Sequence, residues 1–217
     1  ATIETENIKE DTIVVFTSDH GDMLGSQGLI KKQKPWEESI RIPFLLRYPA
    51  LFDLEGKQVP DAMIGMQDMM PTLLGLSQLP IPEEVEGIDY SGFLQGSKNP
   101  SDSTALLACY HPFGQWRSGI DGGPYEFTGR EFRGIRTNHH TYVRSLQGPW
   151  LLYDNLNDPY QLDNLVDLPQ HLPLQDDLDQ QLQRKLDQRK DQFLSGMEYI
   201  NTWGYTVDER GTVPYQN

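Results

Sequence analysis

Cysteine is nearly missing from this chain. Cys109 is the only one among 217 residues, so an internal disulfide framework is excluded and the fold must rest on an apolar core. No apolar run approaches the roughly 18 residues of a membrane-crossing helix, and mean hydropathy is −0.58. A soluble chain without a membrane span is expected. Positive charge is also scarce: 18 Lys and Arg stand against 32 Asp and Glu, a formal net charge of −14. Nucleic acid is therefore not an expected partner, because phosphate neutralisation needs basic residues clustered over a wide face. No signal peptide is visible in residues 1–10. The chain shows no Gly-rich phosphate loop and no serine-hydrolase elbow.

What is present suffices for one large or two small domains, since 37% hydrophobic residues can build a core. The shift in composition at Ser97–Ser103 puts a boundary there, giving domains 1–103 and 104–217. The first is read as part of an α/β domain. The second is read as a small antiparallel sheet of four strands, Ala105–Tyr110, Phe132–Thr137, Thr141–Ser145 and Trp150–Asp154. Leu174, Leu178, Leu182, Leu186, Phe193, Leu194 and Met197 recur at helical spacing, which predicts a single amphipathic helix over 174–199 packed on that sheet. The long stretch 112–129, rich in glycine, is a candidate overhang for a substrate pocket, with His111 beside it.

The chemistry concentrates between Asp11 and Pro49. An apolar run, Ile13 to Phe16, reads as a buried strand and breaks at once into Thr17, Ser18, Asp19, His20, Gly21 and Asp22. Open α/β sheets bind ligands at such carboxyl ends. Asp19 offers a hard oxygen and His20 an imidazole, which together make half of a divalent-cation site. Ser18 and Asp22 fit the role of neighbours that orient such ligands. Lys31, Lys32, Lys34 and Arg41 form the densest basic cluster in an acidic chain, a local inversion of field that suits an anionic substrate. Ile42–Arg47 reads as a second strand. Glu37 and Glu38 read as a helix-capping acidic pair with an ion-pair partner.

These residues carry a family resemblance. TIVVFTSDHGDMLGSQG followed by KQKPWEESIRIPFLLRYP resembles the second signature region of the sulfatases, in the alkaline-phosphatase superfamily. GMQDMMPTLLGL, EGIDYSGFLQG and FRGIRTNHHTYVRSLQGPWLLYDNLNDPYQLDNL continue the likeness to about Leu168. The resemblance implies an alkaline-phosphatase-like mixed sheet with helices. It also implies that Asp19 and His20 bind the active-site cation, calcium first, with manganese or magnesium as alternatives. Lys32, five residues before Glu37, takes the place of the sulfate-binding lysine, and Lys34 is too close to Glu37 for that role.

The sulfatase nucleophile is a formylglycine made from Cys or Ser in a Cys/Ser-x-Pro-x-Arg motif, and no such motif occurs here. Cys109 lies in ACYHPFGQW. The chain thus resembles the C-terminal portion of a sulfatase, with no catalytic nucleophile of its own, and is expected to be inactive alone and to bind the cation weakly or not at all. Its expected partners are a sulfated small molecule or carbohydrate and the missing N-terminal part of the catalytic domain. A periplasmic or extracellular location accords with the resemblance. The rival readings are a phosphodiesterase or phosphonate monoester hydrolase of the same superfamily, and a non-catalytic module.

Smaller features read as structural. Asp68 is placed to cap a helix with Pro71 in its first turn. Met63, Met66, Met69 and Met70 read as core filling. Asp154, Asn155, Asn157, Asp158 and Asp163 lack the glycine and glutamate of an EF-hand. His139, His140 and His171 read as structural or exposed.

Overall fold

The computed structural model describes residues 2–52, 56, 62–101, 103–110 and 130–207. In chain order the elements are α1 (Thr2–Thr5), β1 (Val14–Thr17), α2 (Glu37–Ile40), β2 (Phe44–Arg47), α3 (Met66–Leu76), α4 (Ser91–Leu94), β3 (Thr104–Cys109), β4 (Phe132–Thr137), β5 (His140–Ser145), β6 (Gly148–Asp154), α5 (Leu172–Gln188) and α6 (Gly196–Trp203). They form two compact units. One joins residues 1–19 to 42–105, the other 20–41 to 106–217. The stretch 112–129 and His111 lie outside the described residues.

In the first unit, β1 and β2 pair antiparallel, with Phe16 opposite Leu45 and Val15 opposite Leu46. β2 begins only after Pro43, which has no N–H to give to a ladder. The expectation of a buried first strand is corrected: Phe16 is 63% exposed and Leu45 62%. Side chains alternate across a strand, so Val14, Phe16 and Leu45 share one outward apolar face of a sheet only two strands wide.

The helix expected to be capped by Asp68 starts three residues earlier, at Met66 with Gly65 as its cap. Asp68 sits inside its first turn and reaches back, its carboxylate accepting Gly65 N–H at 2.8 Å and Ile88 N–H at 2.8 Å. Pro71 therefore falls beyond the first turn and leaves the Gln67 carbonyl without its helical donor. Gly87 lies against that carbonyl so closely that a Cβ there would stand 1.9 Å from the oxygen. The methionines do not all fill a core, since Met66 and Met70 are exposed.

The second unit is built on the expected antiparallel meander, in the order β3-β4-β5-β6. Period-two alternation sorts its side chains onto two covered faces. Ile135, Tyr142 and Leu152 meet Leu178, Leu182 and Leu186 of α5. On the opposite face, Phe132, Val143, Leu151 and Tyr153 pack with Met23, Leu29, Trp36 and Cys109. The segment after His20 is thus the second cover of this sheet. Each fully buried leucine of α5 contributes about 1.5–3 kcal/mol by removal from water.

The single helix expected over 174–199 is two. α5 stops at Gln188, Lys190 and Phe193 take left-handed φ of 55° and 49°, and α6 restarts at a Ser195–Glu198 capping box. The break has a partner. Asp191 turns in to Arg133 of β4, with contacts of 2.6 and 3.2 Å to its guanidinium. Arg133 is fully buried, donates also to the Cys109 carbonyl and the Tyr199 hydroxyl, and lies over the Tyr110 ring at 3.9 Å. A leucine period cannot announce this interruption, because the helix yields to a buried charge that must be paired. No helix among the described residues is long and apolar enough to cross a membrane.

Candidate active site

Asp19 ends the first stretch of one unit and His20 opens the other. The His20 Nδ1 stands 2.6 Å from the Gly21 carbonyl oxygen. A carbonyl only accepts, so Nδ1 is the donor in this contact; a metal bound by this ring would take Nε2. Asp22 serves its own turn, taking the Leu24 N–H at 2.9 Å. Ser18 Oγ lies 3.5 Å from the Asp19 carboxylate.

Downstream of His20 the chain doubles back. Met23 N–H donates to the Lys31 carbonyl at 3.0 Å and Gly25 N–H to that of Leu29 at 2.8 Å. The open end of this hairpin-like loop carries His20 on one arm and Lys32 on the other. Gly21 fixes the first arm: its N–H donates to the Ser39 carbonyl at 3.0 Å, and a Cβ there would stand 2.0 Å from the Glu38 carbonyl oxygen. Only glycine lets the turn after His20 lie against α2.

The second arm is held at several points. Lys31 and Gln33 both adopt left-handed backbone, at φ 63° and 66°. That conformation costs roughly 1–2 kcal/mol per non-glycine residue and persists only where neighbours enforce it. Lys34 points inward, buried, with Nζ donating to the Lys32 carbonyl at 3.1 Å and its N–H to Ser39 Oγ. Trp36 Nε1 donates to Tyr153 Oη at 3.2 Å, and burial raises the pKa of that phenol. Glu37 has the ion-pair partner its sequence context suggested, yet it is Arg136, at 3.0 Å to each carboxylate oxygen. Arg41 is 3.9 Å away and its side chain is exposed. Buried Gln161 completes the set, its Oε1 accepting the Glu37 N–H at 2.9 Å.

His20 and Lys32 therefore belong to one loop braced by α2 and the sheet. Gln161, Arg136 and Trp36 brace it. Gln161 is 124 residues from Glu37, and no local signal marked it. Among the described residues no group of three or more His, Cys, Asp or Glu is gathered that could hold a metal. Asp19 and His20 are the right donor types for a divalent ion, but they supply two of the six or more ligands calcium takes. The polar depression among Arg144, Gln183, Asp187 and Phe193 includes none of the candidate residues.

Residues 25–188 match the family described as N-sulphoglucosamine sulphohydrolase, C-terminal. The chain is 38% identical over 211 residues to an ulvan-active sulfatase of Formosa agariphila, covering 96% of this chain and 39% of that protein. An arylsulfatase of Clostridium perfringens is 30% identical, with 91% and 38% covered. Among solved structures, a putative sulfatase YidJ from Bacteroides fragilis superposes with a TM-score of 0.71 at 30% identity, over 88% of this chain and 39% of that one. A protein solved with its substrate D-glucosamine-2-N,6-O-disulfate gives 0.73 at 25%, over 88% and 37%. A phosphonate monoester hydrolase of Agrobacterium radiobacter shares the fold, with a TM-score of 0.69 at 23% over 99% and 41%. The chain belongs to the sulfatase family of the alkaline-phosphatase superfamily and corresponds to its C-terminal portion. It spans about two fifths of the length of the relatives it matches.

Proposed function

We propose that this chain supplies one side of the active centre of an enzyme that hydrolyses sulfate esters of a carbohydrate. Support comes from family membership and from the relatives' described activities on sulfated substrates. The observation that carries the reading is the braced loop, which presents His20 and Lys32 from its two arms.

In this reading the Lys32 ammonium lies against non-bridging sulfuryl oxygens and offsets the charge that grows on them. Asp19 and His20 would hold a divalent cation, which when bound supplies polarisation of a sulfuryl oxygen and a lowered pKa for the nucleophile. That nucleophile, a formylglycine by family resemblance, belongs to a segment outside these 217 residues. The chain alone then turns over no substrate.

The test is kinetic. In the intact enzyme Lys32→Ala should lower aryl sulfate turnover about a hundredfold, since one preorganised donor to a developing anion is worth about 2.7–4 kcal/mol. An unchanged rate refutes the assignment. A wild-type enzyme that prefers an aryl phosphonate monoester to an aryl sulfate replaces the sulfatase reading with its superfamily rival.

A further inference from the structure

We infer that Gln161 is a positioning residue for Lys32, holding from the far side the segment that carries it. The inference rests on the proposed role of Lys32. A lysine ammonium ends a long flexible stem, so the backbone beneath it must be fixed before the charge can be placed. Lys32 stands between two left-handed residues, Lys31 and Gln33. Gln161 touches this region at two points, the tip of the loop and the amino end of α2, which braces it. Its side-chain Oε1 accepts the Glu37 N–H at 2.9 Å, and its main-chain carbonyl accepts Gln27 Nε2 at 3.0 Å.

Gln161 is itself fixed. It is fully buried, its Nε2 donates to Asn155 Oδ1 at 2.9 Å, and its φ is 53°, a conformation an amide-bearing residue keeps only where the surroundings demand it. Both polar ends of its side chain are used, one on α2 and one on Asn155, while its main-chain carbonyl holds the tip of the loop. A buried glutamine serving only to fill space would need neither. The first contact lies at the amino end of α2, five residues beyond Lys32, and Trp36 and Lys34 stiffen the span between.

The experiment compares variants of the intact enzyme on an aryl sulfate and of the 217-residue chain by amide hydrogen exchange. Gln161→Met keeps the length of the side chain and loses both hydrogen bonds. It should lower kcat at least tenfold with KM within about threefold, and speed exchange of the Glu37 amide at least tenfold while the β5 amides stay protected. Should Gln161→Met fail to fold, Gln33→Gly relaxes the loop from the other side; it should leave thermal stability unchanged or higher and still lower kcat. Wild-type kcat in Gln161→Met, or unchanged Glu37 protection, overturns the inference. If Lys32→Ala abolishes turnover while Gln161→Met does not, only the inference fails. If Lys32→Ala is harmless, the reading beneath it fails as well.

Discussion

Replacing Gly21 by alanine is the sharpest perturbation of the loop. The added Cβ would stand 2.0 Å from the Glu38 carbonyl oxygen, 2.9 Å from its carbon and 3.2 Å from the Ser39 carbonyl carbon. All three atoms are backbone, so no side-chain rotation relieves the contact. Reaching even 3.0 Å requires a 1.0 Å retreat of α2, which Trp36, Glu37 and Gln161 oppose through Tyr153, Arg136 and the helix's own first N–H. Overpacking of this kind costs about 1–3 kcal/mol, and the rigid surroundings place Gly21 at the upper end. At about 2–4 °C per kcal/mol for a chain of this size, Tm should fall by about 4–12 °C. Gly25→Ala and Gly28→Ala are the controls. They have positive φ and open space around them, so only backbone strain of roughly 1–2 kcal/mol applies. Circular-dichroism melts of the three variants decide the matter. A Gly21→Ala melt within 1 °C of wild type, or one no worse than the controls, refutes the packing argument.

Two further outcomes follow from buried charge and titration. Arg133→Met should cost about 3–5 kcal/mol, because it strands Asp191 where a carboxylate needs its partner; adding Asp191→Asn should return part of the lost Tm, and no return would mean the pair is not coupled. Acid should destabilise the fold in two stages. Burial holds the His140 pKa below its ordinary 6.5, so the unfolded chain binds the extra proton and stability falls as pH drops below about 6.5. Asp191 is held below 3.8: burial alone would raise it, and the hydrogen bond from Arg133, with those from Phe193 N–H and Tyr199, overcomes that. Its contribution is present above 3.8 and disappears as pH falls through the depressed value. Denaturant midpoints measured from pH 7 to 3 check both, and the first stage should vanish in His140→Gln.

Much of this was legible in the sequence, for physical reasons that also mark where legibility ends. Period-two alternation is local, so β4, β5 and β6 stand where their patterns place them. The leucine stripe of α5 is equally plain. The Arg133–Asp191 pair joins residues 58 apart, and a pairing at that distance breaks the expected helix without leaving a local trace. The apolar run at Ile13–Phe16 reads as buried because its composition fits a core, while the two-strand sheet leaves Phe16 outward. The candidate residues Asp19, His20 and Lys32 are picked out by residue type and by the family resemblance. Their braces are not: nothing in NDPYQLDNL announces that Gln161 will cap α2, and Arg136 looks like any strand arginine until Glu37 meets it.

The proposed function assigns Asp19 and His20 to a cation and Lys32 to an anion. A crystal structure of the intact enzyme grown with calcium and sulfate tests it directly. A single ion should be bound by the Asp19 carboxylate and His20 Nε2, with Lys32 Nζ within hydrogen-bonding distance of a sulfate oxygen. A sulfate seated elsewhere, with Lys32 turned to solvent, would contradict it.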